Sequence, residues 1–130
     1  MAPFVAITMV SSAGAVDLLV EDFNANDGGF TVTNENNHDN PWAYDTAAGA
    51  WSTDGSANGA PNEHTRLTSP ELTVSTTGGY VVSFDHRYDI EGGDWDGAAL
   101  YISVNGGSFV YVEGAKFTEN GYNTGNLIGR

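Results

Sequence analysis

Cysteine is absent from this 130-residue chain, which excludes disulfides, thiolate metal sites and thiol catalysis in one step. Basic residues are almost as scarce: four Lys and Arg stand against seventeen Asp and Glu, for a formal net charge of −13. A field of that sign repels phosphate backbones and anionic lipid, so neither nucleic acid nor a membrane surface is an expected partner. The longest apolar run falls well short of the roughly 20 residues a bilayer-spanning helix requires. Also missing are an HExxH pair, a G-x-S-x-G elbow, Walker glycines and a G-x-G-x-x-G turn. No catalytic machinery is therefore expected. Paired carboxylates for glycoside hydrolysis can be drawn among seventeen acids, but their abundance makes each pair uninformative.

The length fits one domain. Six Phe, six Tyr and three Trp within a 40% hydrophobic chain supply material for a core, as an acidic disordered tail would not. The acidic surplus repels itself, and a divalent cation shared by several carboxylates relieves it, which makes calcium the first cofactor to consider. The plain alternative is a solvated acidic surface that aids solubility. A domain of this size can be stable without disulfides, so their absence does not contradict secretion, and the low cationic content suits a saline, calcium-containing exterior. Residues 1–15 read in two ways. Pro3 to Val10 is a short apolar run before Ser11-Ser12-Ala13-Gly14-Ala15, a signal-peptidase-like ending, yet no basic residue precedes the run. Either a signal-like segment or a leading β-strand is expected there, with residues 16–130 as the module proper.

Short apolar or alternating runs broken by Gly, Asn, Asp and Pro dominate the remainder, the pattern of strands and turns. Strands are expected over Val16–Phe23 and Phe30–Thr33, around the turn-rich Asn24 to Gly29. A loop-dominated stretch follows from Asn34 to Arg66, with GAWST around Trp51 reading as a short strand. Leu67–Val74 resumes the strand pattern, with Pro70 marking an edge or bulge. Tyr80–Ile90 alternates most clearly and puts Tyr80, Val82, Phe84, His86, Tyr88 and Ile90 on the face expected to meet the core. Ala98–Asn105 follows with Leu100, Ile102 and Val104 inward, and Asn105-Gly106 supplies the positive-φ pair of a tight hairpin into Phe109–Val112. About seven strands at near ten-residue spacing, without a helical pattern between them, predict an all-β antiparallel sandwich.

Two groups of residues, and Trp95 beside one of them, are candidates for binding. Asp89, Glu91, Asp94 and Asp96 alternate along a Gly-rich turn, where carboxylates and carbonyls can converge on a hard cation; a solvated acidic turn is the competing reading. Trp42, Tyr44 and Trp51 lie among Asn, Asp and Gly and can stack on sugar rings, or plug the end of the sandwich, the better reading for Trp51. Trp95 stands between two members of the acidic turn. His86 shares the core-facing row and reads as a packed residue, while His38 and His64 lie in loops, so zinc is unsupported.

The segments Leu67-Thr68-Ser69-Pro70, Phe84-Asp85-His86-Arg87-Tyr88-Asp89 and Asp96-Gly97 through Asn105-Gly106-Gly107 to Phe109 form a recognisable succession. It resembles the jelly-roll modules related to MAM domains and to the accessory domain of immune inhibitor A proteases in secreted bacterial proteins. Glu21-Asp22-Phe23, Gly29-Phe30 and Trp51-Ser52-Thr53 fall where that pattern puts them, so the likeness covers most of residues 18–130. The resemblance implies a jelly roll, and a cation site that adds Glu21, Asp22 and Asp54 to the candidate ligands. It also implies two further strands beyond Arg130, so a piece of a longer module, or a short form with open sheet edges that favour self-pairing, is expected. The expected function is a non-catalytic accessory or adhesion module, secreted or at the cell surface, calcium-stabilised and binding carbohydrate or an extracellular protein. A structural spacer, or a fragment of a secreted hydrolase whose catalytic part lies elsewhere, is the alternative.

Overall fold

The computed structural model describes residues 5–11, 17–35, 41–53, 64–74, 79–87 and 97–120. The chain divides into two compact units, Met1–Asp89 and Ile90–Arg130.

In the first unit the β-branched and apolar runs form strands as their composition favours. β1 (Val5–Ser11) is the middle strand of a three-stranded antiparallel sheet, between β2 (Asp17–Glu21) and a strand of the later Tyr80 segment. β3 (Thr31–Glu35) pairs with a strand more than thirty residues on, whereas β4 (Ala43–Asp45) and β5 (Ala50–Ser52) make a local hairpin. β6 (His64–Thr68) is the partner of β3, with Val32 opposite Leu67 and Glu35 opposite His64. β7 (Tyr80–His86) closes the three-stranded sheet against β1, with Phe84 opposite Ile7. A bulge in the β1–β2 ladder falls between Met9 and Val10.

The second unit contributes β8 (Tyr101–Ile102) and β9 (Val110–Tyr111), joined across Asn105-Gly106. These two residues have φ of 53° and 69°, and the Gly107 N–H donates to the Val104 carbonyl at 3.0 Å, the arrangement of a type I′ turn. A single 3-10 turn, Gly114–Lys116, follows. Every described pairing is antiparallel and no α-helix occurs among the described residues, so the architecture is all-β. No described helix is long and apolar enough to cross a membrane.

The core of the first unit is small and aromatic. Phe23, Phe30 and Trp51 are buried together, and Leu19, Trp42, Tyr44 and Leu67 pack against them from β2, β4 and its approach, and β6. Phe23 and Phe30 meet edge to face at 5.2 Å, and Tyr44 and Trp51, opposite one another in the β4–β5 ladder, lie 5.7 Å apart. Such pairs contribute about 0.5–1.5 kcal/mol each beyond the area they bury.

This is not the core that the strand alternation predicts. In β7 Tyr80 and Phe84 are half-buried, but Val82 is 41% exposed and His86 is also exposed; Tyr88 and Ile90 lie outside the described residues. In the second unit Leu100 is half-buried, whereas Ile102 and Val104 are 52% and 64% exposed. Alternation fixes which side chains share a face; it does not supply the layer that covers the face. A ribbon of two-residue strands has too little surface of its own to bury either side.

Candidate functional site

The described candidates gather around one turn. Between β2 and β3 the chain runs Asp22-Phe23-Asn24-Ala25-Asn26-Asp27-Gly28-Gly29, and nearly every reversal in it is fixed by a side chain bonding to the main chain two residues on. Asp22 accepts from the Asn24 N–H at 3.0 Å and from the Asn24 amide at 2.9 Å. Asn26 accepts from the Gly28 N–H at 2.8 Å and Asp27 from the Gly29 N–H at 2.9 Å. These are Asx turns, the reason Asn and Asp recur in such loops.

Phe23 sits at the centre. It is fully buried and holds φ of 56°, a conformation that bulky side chains rarely adopt. The strain is on the order of 1–3 kcal/mol, and complete burial of a Phe side chain, worth roughly 1.5–3 kcal/mol, offsets it. Both main-chain polar groups of Phe23 are met by side chains: its N–H donates to Glu21 Oε1 at 2.8 Å, and its carbonyl accepts from the Tyr44 hydroxyl at 2.6 Å. Trp51 ties the far side of the loop, its indole N–H donating to the Asp27 carbonyl at 3.1 Å. The β4–β5 turn is locked in the same manner, with Asp45 accepting from the Ala47 and Ala48 N–H groups at 2.8 and 3.1 Å.

The electrostatics follow from this crowding. Burial, and then the nearby carboxylates of Asp27, Glu21, Asp22 and Asp45, push the Tyr44 phenol above its ordinary value of 10.0. The Asn24 main-chain N–H, with help from its side-chain amide, holds Asp22 below its ordinary 3.8.

Of the residues expected to hold a cation, Glu21 and Asp22 are neighbours on this turn, each carboxylate occupied by a loop N–H. Among the described residues no three His, Asp or Glu side chains converge as metal ligands. Asp54, Asp89, Glu91, Asp94 and Asp96 lie outside the described residues, as does Trp95. Of the expected aromatic platform, Trp42 and Tyr44 are half-buried against the core, and Trp51 is buried within it. The Trp42 N–H donates to Thr65 Oγ1 at 3.2 Å, which ties the approach to β4 to β6.

One polar cluster has no counterpart in the sequence reading. On the β3–β6 sheet the Glu35 carboxylate pairs with both His64 and Arg66. The register that puts Glu35 opposite His64 joins segments 29 positions apart, so only knowledge of the strand pairing could have found it. His64, expected in a loop, is the first residue of β6.

Comparison of the chain with protein-family models, with curated proteins and with solved structures gives no match.

Proposed function

We propose that this chain is a non-catalytic recognition module of the jelly-roll kind its sequence resembles, part of a secreted or surface protein, and that it binds carbohydrate. The observation that supports this reading is the state of Trp42 and Tyr44, two aromatic side chains left half-exposed while seated on a rigid base of Phe23, Phe30 and Trp51. Sugar rings present C–H faces that pack on such rings, and the hydroxyls around them take hydrogen bonds from carboxylates and amides. The loop anchored on the same base exposes Asp22, Asn24, Asn26 and Asp27, already ordered by their own main-chain bonds. Pre-ordered polar groups lose little conformational entropy when a ligand arrives. Calcium belongs to this reading as a stabiliser, drawn by the −13 charge and held by Glu21 and Asp22 with Asp54, or by the Asp89 to Asp96 turn.

A glycan array tests the binding. A hit that W42A loses and W42F partly keeps supports the reading; an empty array overturns it in favour of a spacer. The same protein melted with and without millimolar calcium tests the stabiliser, and an unmoved midpoint leaves the acids as a solvated surface.

A further inference from the structure

We infer that Asn105 is a site of spontaneous covalent modification, at which the Asn105-Gly106 turn converts to aspartate and isoaspartate in the folded protein. Asparagine is among the chemically labile side chains, and its usual route is attack by the next residue's main-chain nitrogen on the side-chain amide carbon.

Three observations favour that route here. Asn105 and Gly106 are both exposed, so the water that completes the reaction has access. A Cβ built on Gly106 would meet nothing within 4 Å, so the space beside its Cα is open and no packing from elsewhere in the chain confines the turn at that point. The turn is closed by the bond from the Gly107 N–H to the Val104 carbonyl, which leaves the Gly106 N–H outside the main-chain bonding of the turn.

The step balances without an oxidant or reductant. The Gly106 nitrogen forms a bond to Asn105 Cγ, the Cγ–Nδ2 bond breaks, and ammonia leaves with the amide proton. The resulting cyclic imide is opened by one water molecule, at either carbonyl. Opening at the main-chain carbonyl gives isoaspartate, which adds a methylene to the backbone between the two positive-φ residues. The Gly107 to Val104 bond and the Ser103 Oγ–H to Gly107 carbonyl bond, 2.7 Å long, both depend on the spacing that this methylene changes. Opening at the other carbonyl gives aspartate, and either product raises the negative charge by one.

The sequence supplies its own assay. Trypsin cuts after Arg87 and Lys116, and the peptide between them contains Asn105 as its only amide side chain. The whole chain is held folded at mildly alkaline pH and physiological temperature for days, then digested, and the peptides are weighed after chromatography that separates the aspartate from the isoaspartate form. Progressive amide-to-acid conversion of that peptide, with isoaspartate as the larger product, is the expected result. An unchanged peptide from the folded chain, while the free peptide converts, overturns the proposal, because the native turn would then be protective. The G106A variant is expected to convert severalfold more slowly, since a Cβ hinders the attacking nitrogen; equal rates would rule out cyclisation as the route. N105D, which has the new charge without the longer backbone, is expected to keep the hairpin.

Discussion

Among the described reversals that use positive-φ residues, two are secured in opposite ways. The loop from Asp22 to Phe30 contains a buried Phe at 56°, side-chain caps on the N–H groups of Phe23, Asn24, Gly28 and Gly29, and bonds from Tyr44 and Trp51 that reach it from more than twenty residues away. The turn from Val104 to Gly107 depends on one main-chain bond and the Ser103 hydroxyl, and no described residue of its unit is buried. The first is dictated by tertiary packing, the second by local backbone preference. Both were readable in the sequence as turns; the buried Phe23 that fastens the first to the core was not.

The largest test of the contrast removes the core beneath the first loop. Trp51→Ala is expected to destabilise the first unit by about 3–5 kcal/mol, as for other large aromatic truncations. A denaturant melt followed by far-ultraviolet circular dichroism reads this, and a loss under 1 kcal/mol would place the stability of the unit elsewhere.

A smaller effect separates the glycines. Gly28 and Gly106 have almost the same φ, 67° and 69°, so an added Cβ meets the same left-handed penalty at both, about 1–2 kcal/mol. At Gly28 that Cβ would also fall 2.7 Å from Glu21 Cγ and 2.9 Å from the Phe23 ring, whereas at Gly106 it meets open space. Gly28→Ala is therefore expected to cost clearly more than Gly106→Ala. Equal costs would mean that the Phe23 loop yields as easily as the hairpin turn.

The smallest effect is a pH dependence. The Tyr44 phenol titrates higher in the folded chain than its ordinary 10.0, so the folded state retains that proton more tightly. The stability it contributes is fully present below pH 10.0 and is lost as pH rises through the folded value. Melting midpoints of the wild type and Tyr44→Phe should differ by a constant amount near neutrality and converge above that point. A gap that does not narrow would show that burial and the surrounding carboxylates do not hold the phenol in its protonated form.

The parts that were legible in the sequence are those governed by local chemistry. Asn105-Gly106 announces its turn because few other pairs tolerate two positive φ angles. GAWST reads as a strand with a plugging Trp, and Trp51 is one in the structure. Asn24 to Gly29 reads as turns, and its Asx bonds explain why. The core was misplaced because the alternation of β7 is more regular than that of any other strand, while Phe23 falls at a strand end where no periodicity marks it. The β3–β6 pairing and its Glu35 cluster depend on a register between distant segments, which a single sequence does not encode locally. Of the candidate site, the aromatic members Trp42 and Tyr44 were legible as rings among polar residues; their shared seat on Phe23, Phe30 and Trp51 was not.

Everything proposed for the loop depends on its being fastened to that aromatic base, and the Trp51 indole reports on the fastening directly. Hydrogen exchange of the three indole N–H groups, assigned by single Trp→Phe variants, should show that of Trp51 to be strongly protected and that of Trp42 to be faster, since only the former donates to the Asp27 carbonyl from within the core. A Trp51 indole that exchanges as fast as in the unfolded chain would contradict the account.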